Sequence, residues 1–142
     1  MPVRPWRIVL VDDDADCRNV LQLVVQEIFG PNAQVICASD GEEAYALLLE
    51  APADLLLSDF NMPRLNGGEL TSRLASDGLL QRLPVLILTG GIEAAHDPRL
   101  TQAGVRSILM KPFTIAQLRR SVLDVLGLPE ATALPSSPDD AR

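Results

Sequence analysis

Aromatic residues and cysteine are scarce in this sequence: one Trp, one Tyr, three Phe and two Cys in 142 residues. There is a single histidine, His96, and no Cys-x-x-Cys pair, so nothing has the spacing of a zinc site. His96 reads as a loop residue without chemical duty. Cys17 lies in an apolar helical pattern and Cys37 closes a strand-like run; both read as small buried hydrophobes. Basic residues are few, 12 against 19 acidic, for a net charge of −7 and a pI near 4.6. That balance argues against nucleic acid held by its phosphates and against docking on an anionic membrane. No apolar run approaches the roughly 18 residues of a membrane span. Residues 1–7 (MPVRPWR) lack the layout of a signal peptide, which makes a cytoplasmic protein the expectation.

What the chain does have is a repeated alternation. Short aliphatic runs of strand character alternate with segments of helical periodicity. Residues 1–6 read as an irregular leader. A first strand over Arg7–Asp13 contains Ile8-Val9-Leu10-Val11, and a helix over Ala15–Phe29 carries Val20, Leu21, Val24, Val25 and Ile28 before Gly30-Pro31 ends it. A second strand spans Gln34–Ala38. The next helix opens on two overlapping capping boxes, Ser39…Glu42 and Asp40…Glu43, and runs to Glu50. A third strand covers Asp54–Ser58, and a helix from Asn66-Gly67-Gly68 reaches Ser76. A fourth strand, Leu83–Leu88, ends in Thr89-Gly90-Gly91; a short helix then starts at Asp97 or Pro98 and reaches Gln102, limited by the proline. A fifth strand, Val105–Met110, precedes a last helix that Thr114 and Gln117 cap and Gly127 closes. Residues 128–142 carry three prolines and read as a disordered tail or linker. This alternation implies one α/β domain over residues 7–127, with an open parallel sheet and helices on both faces.

In such a sheet, ligands gather outside the C-terminal ends of the strands. Four of those ends carry specific polar groups: Asp12-Asp13, Asp59, Thr89 and Lys111. Each alone has a plainer explanation. Asp12-Asp13-Asp14 could cap a helix, Asp59 could be a cap or surface charge, Thr89 a turn hydroxyl and Lys111 a solvated lysine before Pro112. Their shared position at one edge is what singles them out. A strand order of 2-1-3-4-5 would set the first and third strands side by side and bring the carboxylates together. Three carboxylates in one crevice repel each other, and a hard divalent cation such as Mg²⁺ relieves that conflict. With the ammonium of Lys111, the ion would balance the three acids. A phosphoryl group could then approach, since its transfer asks mainly for positioning and charge neutralisation. A carboxylate can act as the nucleophile and form an acyl phosphate.

Val11-Asp12-Asp13-Asp14, Ser58-Asp59-Phe60-Asn61-Met62-Pro63 with Asn66-Gly67, Leu88-Thr89-Gly90 and Lys111-Pro112-Phe113 occur in the order and at the spacing of one known family. Over Arg7–Gly127 the chain resembles a receiver domain of the bacterial two-component response regulators. The resemblance, rather than spacing, implies a flavodoxin-like doubly wound five-stranded parallel sheet of order 2-1-3-4-5. It further implies that Asp59 accepts a phosphoryl group from a sensor histidine kinase or phosphotransfer protein, and that small acyl phosphates can also donate. Asp13, Asp59 and the backbone carbonyl of Asn61 would bind Mg²⁺, and Asp12 would hold a metal-bound water. Lys111 would pair with Asp59 and then with the phosphoryl oxygens; Thr89 would move inward to bond them, with Gly90 leaving room. The Lys111-Pro112 peptide is expected to be cis.

Three positions depart from the family pattern. Ile108 stands where an aromatic switch residue is usual, so a ring rotation cannot report phosphorylation. Pro98 implies an unusual fourth helix on the face that relatives commonly use for partners or dimers. Asn66 replaces a common aspartate and should cap equally well. The expected function is a phosphorylation-controlled switch acting through an unknown downstream protein, with catalysis limited to its own phosphorylation and dephosphorylation. No output domain is recognisable, so the chain is expected to be a stand-alone regulator or a receiver from a longer protein, and homodimerisation stays open. One alternative is a Mg²⁺-dependent phosphatase or phosphotransferase with an aspartyl nucleophile, which would want an acid where Asn61 stands. Another is a flavin mononucleotide binder, which would want a phosphate loop where three aspartates follow the first strand.

Overall fold

A computed structural model describes residues 4–105, 107–128 and 137–141. Five parallel strands form a single sheet of order β2-β1-β3-β4-β5: β1 Arg7–Val11, β2 Gln34–Ala38, β3 Leu55–Asp59, β4 Val85–Thr89 and β5 Ser107–Met110. Between them run α1 Ala15–Phe29, α2 Gly41–Glu50, α3 Gly67–Ser76 and α4 Pro98–Gln102, with α5 Ile115–Leu126 after β5. Short 3-10 turns cover Leu79–Gln81, Ala94–His96 and Pro138–Ala141.

The strands are aliphatic throughout because both sheet faces are covered. Alternation along each strand sorts the side chains. Ile8, Leu10, Leu55, Leu57, Leu86 and Leu88 pack with Leu21, Val25 and Phe29 of α1 and Leu118 and Val122 of α5. Val9, Val11, Leu56, Val85 and Ile87 pack on the other face with Ala44 and Leu48 of α2, Leu70 and Leu74 of α3, and Leu100 of α4. Each fully buried leucine contributes on the order of 1.5–3 kcal/mol, so shifting a strand by one residue would exchange its two faces at heavy cost.

Several boundaries differ from the sequence expectations for local reasons. β1 stops at Val11, which puts Asp12 and Asp13 in the corner before α1. β3 extends one residue further than expected and includes Asp59. β4 begins at Val85 because Pro84 has no N–H for the ladder, although its carbonyl still accepts from Leu56 at 3.0 Å. β5 begins at Ser107; Arg106, inside the expected strand, lies outside the described residues. Of the two capping boxes before α2, Asp40 takes the Glu43 N–H at 2.8 Å, and the Glu43 carboxylate reaches back to the Ser39 hydroxyl at 2.8 Å. The Ser39…Glu42 box does not form. As expected, α4 starts at Pro98, with Asp97 as its cap, and is only five residues long.

Trp6, inside the expected leader, is buried against Phe29 with ring centroids 5.0 Å apart in an edge-on pair. Arg4 pairs with the buried Asp54 and, at 3.1 Å, with Asp139 of the 137–141 turn. Most of the expected tail, residues 129–136 and 142, lies outside the described residues. Among the described residues, no helix is long and apolar enough to cross a membrane.

Candidate functional site

The register aligns the C-terminal ends of β1, β3, β4 and β5. Val11 pairs with Ser58, Asp59 with Leu88, and Thr89 with Met110. One residue beyond the first and the last of these rungs lie Asp12 and Lys111, so the four strand ends form a single crevice. Carboxylate oxygens of Asp12, Asp13 and Asp59 come within 4.8 Å of one another. Nζ of Lys111 lies 3.2 Å from Oδ1 of Asp59 and 3.4 Å from Oδ2 of Asp12. Asp12 and Asp59 are buried, Lys111 is half-buried and Asp13 is exposed.

Local structure fixes each acid. Asp12 donates its N–H to the Ala38 carbonyl at 3.2 Å, and its Oδ1 accepts the Asp14 N–H at 2.9 Å. Asp14 in turn caps α1, accepting from Asp16 N at 2.9 Å. Its role as the cap, one of the plainer readings of the acidic triad, therefore coexists with the crevice. The carbonyl between Asp12 and Asp13 accepts from Nη1 of Arg18 at 2.7 Å. Asp59 sits where β3 opens into a turn that Gly67 closes by donating to the Phe60 carbonyl at 2.8 Å. A Cβ at Gly67 would lie 3.1 Å from the Asp59 carbonyl and 3.0 Å from Phe60 Cα, so glycine lets α3 start directly beneath the acid. Asn66 caps α3 through a full box with Glu69, as its equivalence to aspartate suggested.

Burial raises the Asp59 carboxyl above its ordinary pKa; Lys111 opposes that shift, while Asp12 and Asp13 add to it. Burial alone would lower Lys111, but the charges of Asp59 and Asp12 outweigh it and hold the ammonium above its ordinary value. Such a cluster of mutually shifted groups in a crevice marks a functional site with a physical cause. All the ligand atoms are oxygens, and carboxylates are the donors that Mg²⁺ takes together with water and phosphate. The donor set thus fits a hard divalent ion.

Thr89 is fully buried on the same edge, with its hydroxyl turned into the following loop: it accepts the Gly91 N–H at 3.2 Å. No neighbouring atom lies within 4 Å of a Cβ placed on Gly90, which leaves open space beside it. Asn61 is exposed two residues beyond Asp59. The Lys111-Pro112 peptide is cis. Ile108 pairs with Ile87 in the sheet, two residues before the Thr89–Met110 rung, and packs half-buried against the α2–α4 face. His96 ends a 3-10 turn and joins none of these groups. Beside the crevice, a groove of about 460 Å³ opens between α1 and α5, lined by Cys17, Val20, Val24, Phe113 and Ile115.

Arg18 escaped the sequence reading. Its position one turn into α1 matches no capping or pairing motif, and its target is a backbone carbonyl that no residue type announces.

Comparison with known proteins agrees with this geometry. The family model described as the response regulator receiver domain matches residues 8–123. The chain is 31% identical over 116 residues to the chemotaxis protein CheY-3 of Vibrio cholerae, covering 82% of this chain and 88% of that protein. It is 29% identical over 121 residues to a probable chemotaxis protein CheY of Rhizobium etli, covering 85% and 92% respectively. Among solved structures, CheY4 of V. cholerae superposes with a TM-score of 0.75 at 26% identity, over 85% of this chain and 98% of that one. With five parallel strands in the order 2-1-3-4-5 and the acidic crevice at their C-terminal edge, this chain belongs to the response regulator receiver domain family.

Proposed function

We propose that this receiver domain is a phosphorylation switch in which Asp59 accepts a phosphoryl group from a phosphohistidine on a sensor kinase or phosphotransfer protein. The observation that carries this reading is the convergence of Asp12, Asp13 and Asp59 with Lys111 bridging two of them at 3.2 and 3.4 Å. A structural ion pair would need one acid; three acids around one ammonium leave negative charge that a further cation offsets.

Asp13, Asp59 and the backbone carbonyl of Asn61 would hold Mg²⁺, with Asp12 reaching it through water. When bound, the ion supplies charge neutralisation for the incoming phosphoryl oxygens. Asp59 supplies the nucleophilic oxygen. The new bond joins that oxygen to phosphorus as the histidine N–P bond breaks, and the leaving imidazole keeps the electron pair and takes a proton. Lys111 moves from the Asp59 carboxylate to a phosphoryl oxygen. Thr89 gives up its contact with Gly91 and donates its hydroxyl to another, into the space beside Gly90. Later attack of water on phosphorus restores the carboxylate. The apolar groove between α1 and α5 favours a protein donor over a small molecule alone, because a large apolar surface beside a reactive centre suits a protein contact. The mark is read out through contacts with a downstream protein.

The test is incubation with Mg²⁺ and acetyl phosphate, followed by intact-mass measurement. A base-labile gain of one phosphoryl group, lost in Asp59→Ala, supports the reading. An undiminished adduct in Asp59→Ala, or none on the wild type, contradicts it.

A further inference from the structure

We infer that Arg18 is a positioning residue for the cation site, acting through the Asp12–Asp13 peptide; this rests on the reading that the crevice binds Mg²⁺. The peptide plane between these two acids sets where the Asp13 side chain points. Its oxygen, the Asp12 carbonyl, is held at 2.7 Å by the Arg18 guanidinium, a short charge-assisted bond. The other polar groups of Asp12 are also occupied, by Ala38 O on its N–H and by Asp14 N–H and Lys111 on its carboxylate. Asp13 is different. It is exposed, and among the described residues no hydrogen bond orients its carboxylate. Its direction toward Asp59 is therefore inherited from the backbone, which the Asp12 carboxylate holds on one side of Asp13, at the Asp14 N–H, and Arg18 holds on the other, at the Asp12 carbonyl.

The positioning role has a sign that separates it from electrostatics. Arg18 carries a positive charge near a cation site. Were charge its only effect, removing it would tighten binding of Mg²⁺. Were it inert, removal would change nothing. If it orients Asp13, removal loosens binding, and partners of this outer kind typically alter metal affinity by about 10-fold or more.

The experiment is calorimetric titration of the purified protein with Mg²⁺, for the wild type, Arg18→Ala and Arg18→Gln. We expect Arg18→Ala to bind about 10-fold more weakly. Arg18→Gln, which keeps an N–H donor without the charge, should fall between it and the wild type. Equal or tighter binding by Arg18→Ala overturns the inference while leaving the switch reading intact. Should circular dichroism show Arg18→Ala unfolded, Arg18→Gln decides by the same sign. No Mg²⁺ binding by the wild type would overturn both.

Discussion

Lys111 reaches Asp59 at 3.2 Å across the end of an intervening strand: β4, which carries Thr89, lies between their two strands in the sheet. The ammonium thus spans the place where a phosphoryl group on Asp59 would meet the Thr89 hydroxyl. Lys111→Ala should still form an adduct with acetyl phosphate, because the proposed nucleophile, Asp59, is retained. The rate should fall by roughly 10²-fold, as when one preorganised charge-stabilising donor is lost. Hydrogen exchange of the 90–97 loop should then differ little between the phosphorylated and free variant. A wild-type exchange response in Lys111→Ala would contradict this role.

Trp6 should be blind to the switch. It precedes β1, and six residues of extended chain at about 3.3 Å each put it roughly 20 Å from Asp12. Its ring is buried against Phe29 at the opposite end of the sheet. Its fluorescence should stay constant when Mg²⁺ and acetyl phosphate are added and change only on unfolding. Quenching by Mg²⁺ would mean that the crevice and the far end of the sheet are coupled.

Gly68 lies under the Asp97–Arg99 pair. A Cβ there would sit 2.5 Å from Oδ2 of Asp97 and 3.1 Å from the Arg99 guanidinium. Asp97 cannot easily yield, because its Oδ1 caps α4 at Arg99 N, 2.9 Å away, and its Oδ2 holds Arg99 Nη2 at 2.7 Å. Alanine normally improves a helix by about 1 kcal/mol over glycine. Here Gly68→Ala should destabilise by about 1–3 kcal/mol through crowding. In an Asp97→Ala background the same substitution should stabilise. Chemical denaturation of the four proteins in the cycle reads the change of sign.

Asp40 is a buried cap whose carboxyl is held below its ordinary pKa first by the Glu43 N–H and then by Arg64. The unfolded chain therefore binds a proton at higher pH than the folded one. The stabilisation is present above the unfolded value of about 3.9 and is lost as pH falls through the lower folded value. Asp40→Asn keeps a capping oxygen that does not titrate. Its thermal midpoint should fall less than that of the wild type between about pH 5 and pH 2, while Asp40→Ala should lose about 1 kcal/mol at neutral pH.

The convergence of the candidate site was legible because its residues sit at strand ends. Continuous aliphatic runs such as Ile8–Val11 and Leu55–Leu57 mark buried parallel strands, and the polar residue that ends each run must lie at the common edge. Caps were legible where side chain and helix start are close in sequence, as at Asp14, Asn66 and Thr114. What escaped depends on partners distant in the chain or on backbone atoms. Trp6 looked like part of a leader because nothing near it shows that Phe29 waits across α1. The Arg4–Asp139 pair joins residues 135 apart, and Arg18 meets a carbonyl. Neither has a local pattern. The choice between two overlapping boxes before α2 turned on backbone geometry, which let Asp40 rather than Ser39 face the helix.

The central claim is that one particular acid of the three carries the phosphoryl group. Treating the acetyl phosphate-labelled protein with borohydride reduces an aspartyl phosphate to homoserine, and peptide sequencing by mass spectrometry then locates it. The geometry calls for homoserine at residue 59 alone, dependent on Mg²⁺. Homoserine at residue 12 or 13, or its appearance at 59 without any divalent ion, would contradict the account.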